Sequence, residues 1–444
     1  MIRIFPDIEF NAQCPIDAAE LHIKDVVIPG MRCLADSICP ICNTRYYVDL
    51  PVGHALWFPT TLNQSTAEIY TQFGVNWFSQ RLRESFLEPV EVEPIPIIHK
   101  FFDADRIIIL NCLDFLYGHS LLKLLNVQYY LDNHPELGCC VLAPTQLLHL
   151  VPKGVAEIWE FPISIKEGWK WYLSLQNWMS KQFTNYKECF LSPTYPHPSN
   201  QAYDLTRFVR DLPNILDDIE PHRPVILFSY REDRPWGNTL KKQQYNLQKL
   251  YNQLSTIFPA LVFVLIGFGQ QAKIHAAGAR LIDLRTDKFC VECDRLWLAY
   301  MSAADCAVGV HGSNMLLPSG LARSTVELVP RLRVGNTVQD FLFPWKMKDV
   351  RDALLFYRMI YGNNNLSDID PVKVTDLIVN VLSYSAYNVI IFGEGTSNEL
   401  RERIRILRES EIYKCALNVD RLNIRDLSFS RRLINYLIKI IQKF

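Results

Sequence analysis

The feature that most constrains this chain is a recurring one. Short, nearly uninterrupted apolar runs each lead into a turn rich in Gly, Asn or charge: RIIILN from Arg106, GCCVLAP from Gly138, VILFSY from Val225, LVFVLIGFG from Leu261 and CAVGV from Cys306. A strand with one wet face alternates polar and apolar residues, whereas a run that is apolar at every step is buried on both faces, as in parallel sheets covered by helices. Helical patterns separate the runs, and strand, helix, strand at this spacing is the doubly wound signature. The fold class is therefore α/β.

The pattern runs twice, and 444 residues are enough for two moderate domains. The sequence divides into a small N-terminal addition (1–100), a first doubly wound domain (101–197), a second one (198–385) and a basic helical tail (386–444). The boundary near His197 is placed on SPTYPHPSNQ, with three prolines in ten residues. Within the addition, a helix is expected from about Thr66 to Phe86. In the first domain a helix is expected from Ser120 to about Asn133, and residues 166–190 read as one aromatic core helix. In the second, Thr239–Phe258 reads as an amphipathic helix with Leu247, Leu250, Tyr251 and Leu254 on one face. The stretch from Leu342 to Gly362 reads as helical, and Pro371 opens a further helix.

Formal net charge is -1, so nothing global points to nucleic acid or another polyanion. The start MIRIFPDIEF lacks the basic-then-apolar order of a secretory signal, and no apolar run approaches a membrane span, so the sequence reads as cytoplasmic. The end, RRLINYLIKIIQKF, aligns Leu433, Leu437, Ile440, Ile441 and Phe444 against Arg and Lys. That suits either a peripheral helix on the inner face of a membrane or a helix packed on the protein. Most of the 12 cysteines fall in apolar segments and behave as small hydrophobes. Cys33, Cys39 and Cys42 include a C-P-x-C knuckle that Cys14 or His54 would complete as a zinc site, although only one knuckle is plain. Cys290 and Cys293 share the spacing at a helix start without nearby partners.

Open parallel sheets bind ligands beyond the carboxyl ends of their strands. After Cys306–Val310 come His311, Gly312, Ser313 and Asn314, where glycine permits close backbone approach and Ser313 is expected to cap a helical turn whose free N–H groups favour phosphate. After Val225–Tyr230 come Arg231 and Arg234, whose forks suit phosphate oxygens, with Asn238 beyond them. Each arginine also has a local alternative, an ion pair with Glu232 or Asp233. Gly267 ends the neighbouring strand, so these residues face one crevice. In the first domain the loop after RIIILN offers Asn111, Asp114, Gly118 and His119, with Asp114 and His119 as candidate bases.

Two domains of this kind resemble the GT-B fold, two Rossmann-like domains facing each other across a cleft. More narrowly, SYREDRPWGN together with GVHGSNMLLPSGLARSTVELVP resembles glycosyltransferase family 61, over roughly residues 223–345. Ser313 and Asn314 stand where that family has Ala-Gly, and Leu321–Arg323 is extra. The resemblance implies a nucleotide-sugar donor held by Arg231, Arg234 and the His311 turn, with Glu327 near the nucleotide or paired with a basic side chain. It implies transfer to a glycan, lipid-linked or protein hydroxyl with no obligatory metal. A nucleotide- or glycan-binding protein without catalysis is the alternative.

Overall fold

The computed structural model describes residues 1–91, 94–198, 203–215, 219, 224–337, 342 and 356–392. Two compact units divide the chain, Met1–Arg210 and Asp211–Phe444.

The first unit contains β1 (Ile2–Phe5), β2 (His22–Val27), β3 (Leu34–Ile38), β4 (Arg45–Asp49), β5 (Thr60–Asn63), β6 (Ile69–Thr71), α1 (Trp77–Leu87), β7 (Ile97–Lys100), β8 (Arg106–Asn111), α2 (Tyr117–Leu125), α3 (Val127–Asn133), β9 (Gly138–Pro144), β10 (Glu157–Phe161), α4 (Leu173–Phe183) and β11 (Glu188–Leu191). Strands β2 to β6 form an antiparallel meander. The other sheet runs β1-β11-β8-β9-β10-β7, with β11, β8, β9 and β10 parallel and the two edges antiparallel. Every residue of β9 is buried, as a strand covered on both faces requires.

The first hundred residues pack into this unit: β1 and β7 are the edges of this sheet, and Ile4, Val48, Ile109 and Cys189 share one core. The helix expected from Thr66 is instead β6 and α1. Gly74 turns the chain with φ 72°, and Asn76 closes a capping box with Ser79 that fixes where α1 begins. The helix expected over 166–190 is shorter. Glu188–Leu191 alternate partly buried and buried, and they pair as a strand between β1 and β8. The helix expected from Ser120 starts at Tyr117 and breaks at Asn126, whose amide donates to Tyr195 O at 2.9 Å. That bond also ties down the proline-rich stretch, as does Gly53 N–H donating to Pro193 O at 2.7 Å. Those prolines are built into the first unit, and the division between units falls later.

The second unit contains β12 (Val225–Tyr230), α5 (Leu240–Ile257), β13 (Val262–Gly267), β14 (Arg280–Asp283), α6 (Val291–Ala303), β15 (Cys306–Val310), α7 (Leu316–Leu321), β16 (Thr325–Pro330), β17 (Tyr357–Gly362) and α8 (Pro371–Phe392). Thr239 caps α5 by accepting from Lys242 N, and Leu247, Leu250, Tyr251 and Leu254 all lie in the core. The sheet is parallel throughout, in the order β14-β13-β12-β15-β16-β17. The chain thus winds outward from β12, returns beside it at β15 and winds the other way. This is the 3-2-1-4-5-6 order of dinucleotide-binding sheets, whose ligand crevice opens where the winding reverses.

Tyr357–Gly362, read from sequence as helical, is the last strand of this sheet; its register against Thr325–Pro330 is unbroken. The helical reading of 431–444 lies outside the described residues. Among the described residues, no helix is long and apolar enough to cross a membrane. Cys290 and Cys293 are joined as a disulfide at the start of α6.

Candidate functional site

Each unit gathers polar side chains where its strand order reverses. In the second unit the reversal lies between β12 and β15. Arg231 follows the first strand and His311 the second. Arg231 Nη1 donates to Asn314 Oδ1 at 2.8 Å, and Arg234 Nη1 donates to His311 O at 2.5 Å. Asn314 is itself anchored, donating through Nδ2 to Ser229 Oγ at 2.9 Å. Between the arginines lies Gly312, with φ 149°. A Cβ there would stand 2.6 Å from Arg231 Nη1 and 3.0 Å from Arg234 Nη1. Two guanidinium groups therefore converge above a bare stretch of backbone, an arrangement suited to an anion.

The remaining fork of Arg231 is taken by Asp233, at 2.8 Å from Nε and 2.6 Å from Nη2. One edge of Arg231 thus makes the local ion pair that the sequence offered as its alternative, while Nη1 faces Gly312. Hydrogen bonding from Arg231 keeps the Asp233 carboxyl below its ordinary range, against the opposing effect of burial. Glu327 is fully buried on β16. Its Oε1 lies 3.0 Å from His311 Nδ1, and its Oε2 accepts from the Tyr357 hydroxyl. It is a partner of the histidine, and it fixes the turn from beneath.

Three residues sit differently from expectation. Ser313 begins the turn after Gly312 but does not cap it; the cap position belongs to Gly312, which has no side chain to offer. Asn238 is exposed with φ 74°, and shapes the turn into α5, a conformation asparagine tolerates. Gly267 is needed because a Cβ would lie 2.1 Å from Tyr230 O, so its role is packing against β12.

In the first unit the reversal lies between β8 and β11. Asp114 is buried in the loop after β8, with Oδ1 3.2 Å from His119 Nδ1 and Oδ2 2.8 Å from Lys123 Nζ. Lys123 is also buried and donates to Leu113 O at 2.7 Å. Gly53, with φ 60°, leaves it room, since a Cβ there would stand 3.2 Å from Lys123 Cε. His119 Nδ1 is 3.1 Å from His54 Nε2, and the His197 ring lies 5.2 Å from that of His119. Trp77 and Phe78 pack edge-on against His54.

Burial alone would raise the Asp114 carboxyl, but the Lys123 ammonium, the hydrogen bond and charge of His119 and the nearby His54 together outweigh it and hold the group far below the usual carboxylate range. Burial pulls His54 down to about 3 against the attraction of Asp114, and His197 down to about 4. Both are neutral rings at neutral pH. His54, Asp114 and His119 could bring three ligand atoms to a metal. The Lys123 ammonium already supplies the positive charge, so a divalent cation does not suit this set. The arrangement instead fits a base: with Nδ1–H directed at the Asp114 carboxylate, His119 presents Nε2 as an acceptor of protons.

Sequence reasoning found Asp114 and His119 but missed Lys123, His54 and His197 as their neighbours. Lys123 had a signal, a lone lysine among Leu121, Leu122, Leu124 and Leu125; His54 had none. Asn111 serves the fold, donating to Gly30 O at 2.9 Å and to Cys33 Sγ at 3.4 Å. Gly118 is buried within α2. Cys33, expected beside Cys39 and Cys42, is instead a buried thiol under Asn111, pushed up to about 12 by burial.

No protein-family model matches the chain, so the family 61 resemblance rests on its motif residues. No curated protein matches it. Among solved structures, it is similar to ADP-heptose lipopolysaccharide heptosyltransferase II of E. coli at 16% identity, covering 63% of this chain and 99% of that one with a TM-score of 0.37. It is also similar to the E. coli heptosyltransferase WaaC with ADP, at 11% identity, 62% and 99% coverage and a TM-score of 0.39. A trehalose-6-phosphate protein from E. coli bound with UDP-2-fluoro glucose matches at 10% identity, 69% and 68% coverage and a TM-score of 0.20. Likenesses this distant do not decide the chemistry, which rests on the geometry.

Proposed function

We propose that this chain is a GT-B-type glycosyltransferase that moves a sugar from a nucleotide-sugar donor to the hydroxyl of a glycan, lipid-linked or protein acceptor. One observation carries the reading: the Nη1 atoms of Arg231 and Arg234 converge over Gly312 where a parallel sheet of 3-2-1-4-5-6 order reverses. Negative charge grows on the donor diphosphate as the glycosidic bond breaks, and fixed cations at that point stabilise it more than they stabilise the ground state. Arg231 and Arg234 supply that charge, and no obligatory metal is needed. Asp233 yields its place on Arg231 when a phosphate arrives.

The acceptor hydroxyl would lose its proton to His119 Nε2, with Asp114 orienting the ring and Lys123 keeping Asp114 ionised. Attack by an activated hydroxyl on the anomeric carbon gives inversion. His54 and His197, held neutral, add no cation that would repel the proton His119 accepts.

A thermal-shift series with UDP, GDP, ADP and CMP tests the donor half, since a ligand that binds only the native state raises its apparent stability. One nucleotide stabilises the wild type, and Arg231→Ala abolishes the shift. On a panel of nucleotide-sugars, His119→Ala keeps donor binding and loses transfer. A chain that no nucleotide stabilises refutes the reading. Binding without turnover of any donor by the intact protein establishes the alternative, a nucleotide-binding protein that is not an enzyme.

A further inference from the structure

Away from both reversals, Cys14, Asp17, Cys39 and Cys42 place one ligand atom each within 4.8 Å of one another. We infer that they form a tetrahedral site for a single zinc ion that staples the amino-terminal meander of the first unit.

The sequence carries the site as an imperfect repeat. Cys14-Pro15-Ile16-Asp17 and Cys39-Pro40-Ile41-Cys42 differ only in their last ligand, so a search for a second pair of cysteines misses the first knuckle. The backbone repeats the match. Ala18 N–H donates to Cys14 O at 3.0 Å, and Asn43 N–H donates to Cys39 O at 3.0 Å. Cys14 N–H donates to Ala19 O at 2.8 Å, and Cys39 N–H donates to Thr44 O at 3.0 Å. The residue after each knuckle is left-handed, Ala18 at φ 58° and Asn43 at φ 57°. For alanine that conformation costs about 1–2 kcal/mol, so the loop is held in it by something more than its own preference. Ala19 N–H donates to Asp17 Oδ1 at 3.0 Å within the first knuckle, and Cys42 N–H donates to Cys39 Sγ at 3.4 Å within the second. Two loops distant in sequence thus adopt one ligand-presenting shape, facing each other.

The spacing of the ligand atoms fits the ion. Zinc–sulfur bonds of about 2.3 Å in a tetrahedron separate two sulfurs by roughly 3.8 Å, and a sulfur from a carboxylate oxygen by roughly 3.5 Å. Cys14 Sγ and Cys42 Sγ are 3.8 Å apart, and Cys39 Sγ is 3.3 and 3.4 Å from the Asp17 oxygens. Three thiolates and one carboxylate make a soft, doubly negative net donor set with the ion bound, which selects zinc over calcium or magnesium. Four protein ligands fill the tetrahedron and leave no position for substrate, so the site is structural. Cys14 and Cys39 are buried while Cys42 is exposed, which gives the ion a way in. On binding, each thiol loses a proton to solvent and each sulfur gives a lone pair to the metal; nothing is oxidised. Cys33, at the amino end of β3, is not a ligand.

The test uses the full-length chain purified under reducing conditions. Elemental analysis finds one zinc per chain, and Cys33→Ala retains it. Cys39→Ser loses it, with a lowered melting temperature. Because that variant can also fail to fold, the metal-free wild type is titrated with cobalt(II), which gives a thiolate-to-cobalt charge-transfer band and tetrahedral ligand-field bands. Asp17→Cys preserves metal binding and strengthens the charge-transfer band by adding a fourth thiolate. A folded wild type that holds no zinc and gives no tetrahedral cobalt spectrum overturns the proposal. So does a mass two hydrogen atoms lower than the sequence after reduced preparation, with Cys14 and Cys42 joined as a disulfide.

Discussion

Replacing Gly312 by alanine probes the structure where two independent effects meet. The first is backbone strain. At φ 149° and ψ -177° the residue occupies a region nearly confined to glycine, and holding another residue there costs about 1–3 kcal/mol. The second is the new methyl, 2.6 Å from Arg231 Nη1 and 3.0 Å from Arg234 Nη1. Both are ends of flexible side chains, so they move aside, and the 2.8 Å bond from Arg231 to Asn314 is lost. A hydrogen bond from a charged group contributes about 1.5–3 kcal/mol, so the two effects together predict a loss of roughly 2.5–6 kcal/mol. For a unit of this size that lowers the melting temperature by roughly 2–4 °C per kcal/mol.

Two other glycines separate the effects. Gly278 has φ 109° and nothing within 4 Å, so Gly278→Ala reports strain alone; Gly335 has neither, so Gly335→Ala changes little. Urea unfolding of the three variants, with Arg231→Ala added to each, isolates the contact. The Gly312→Ala loss shrinks by about 1 kcal/mol or more when Arg231 is already absent, because the clashing group has gone. A Gly312→Ala variant within ~0.5 kcal/mol of wild type, or strict additivity with Arg231→Ala, would show that the guanidinium does not lie over this glycine.

Other consequences follow from the same geometry. Lys123→Met strands the buried Asp114 carboxylate and destabilises the first unit by about 3–5 kcal/mol, whereas Lys123→Met with Asp114→Asn recovers much of the loss in urea unfolding. Because burial lowers His54 to about 3 and His197 to about 4, the unfolded chain binds more protons than the native one from about pH 6.5 down to those values. Stability is therefore fully present above that range and falls with acid at up to about 1.4 kcal/mol per pH unit for each ring, and His54→Gln reduces the slope. Asp114, also depressed, adds a further loss below its unfolded value of about 4. Removing the competing carboxylate with Asp233→Asn raises the affinity for inorganic pyrophosphate measured by calorimetry, and unchanged affinity would show that Asp233 does not compete for that edge of Arg231. Tyr357→Phe loses the hydroxyl on buried Glu327 and costs about 1.5–3 kcal/mol, read as a lower urea midpoint.

The sequence by itself determined the central parallel strands of both units. RIIILN, GCCVLAP and CAVGV lie in strands with the bounds their apolar runs give, because burial on both faces leaves a local mark that needs no partner to be read. It also brought out Arg231, Arg234 and the His311 turn as residues following strand ends. Strand order is a different matter. That β17 closes the second sheet, that Glu188–Leu191 enters the first, and that both sheets reverse beside the polar loops depend on pairings between distant segments, which leave no periodicity of their own. The same holds for side chains buried by the company they keep: Lys123 on Asp114, Glu327 beneath His311, and Asp17 completing a cluster that the spacing of cysteines alone assigned to Cys33. A local pattern records how much of a strand is covered; only the assembled chain decides what covers it, and therefore which charges are forced together.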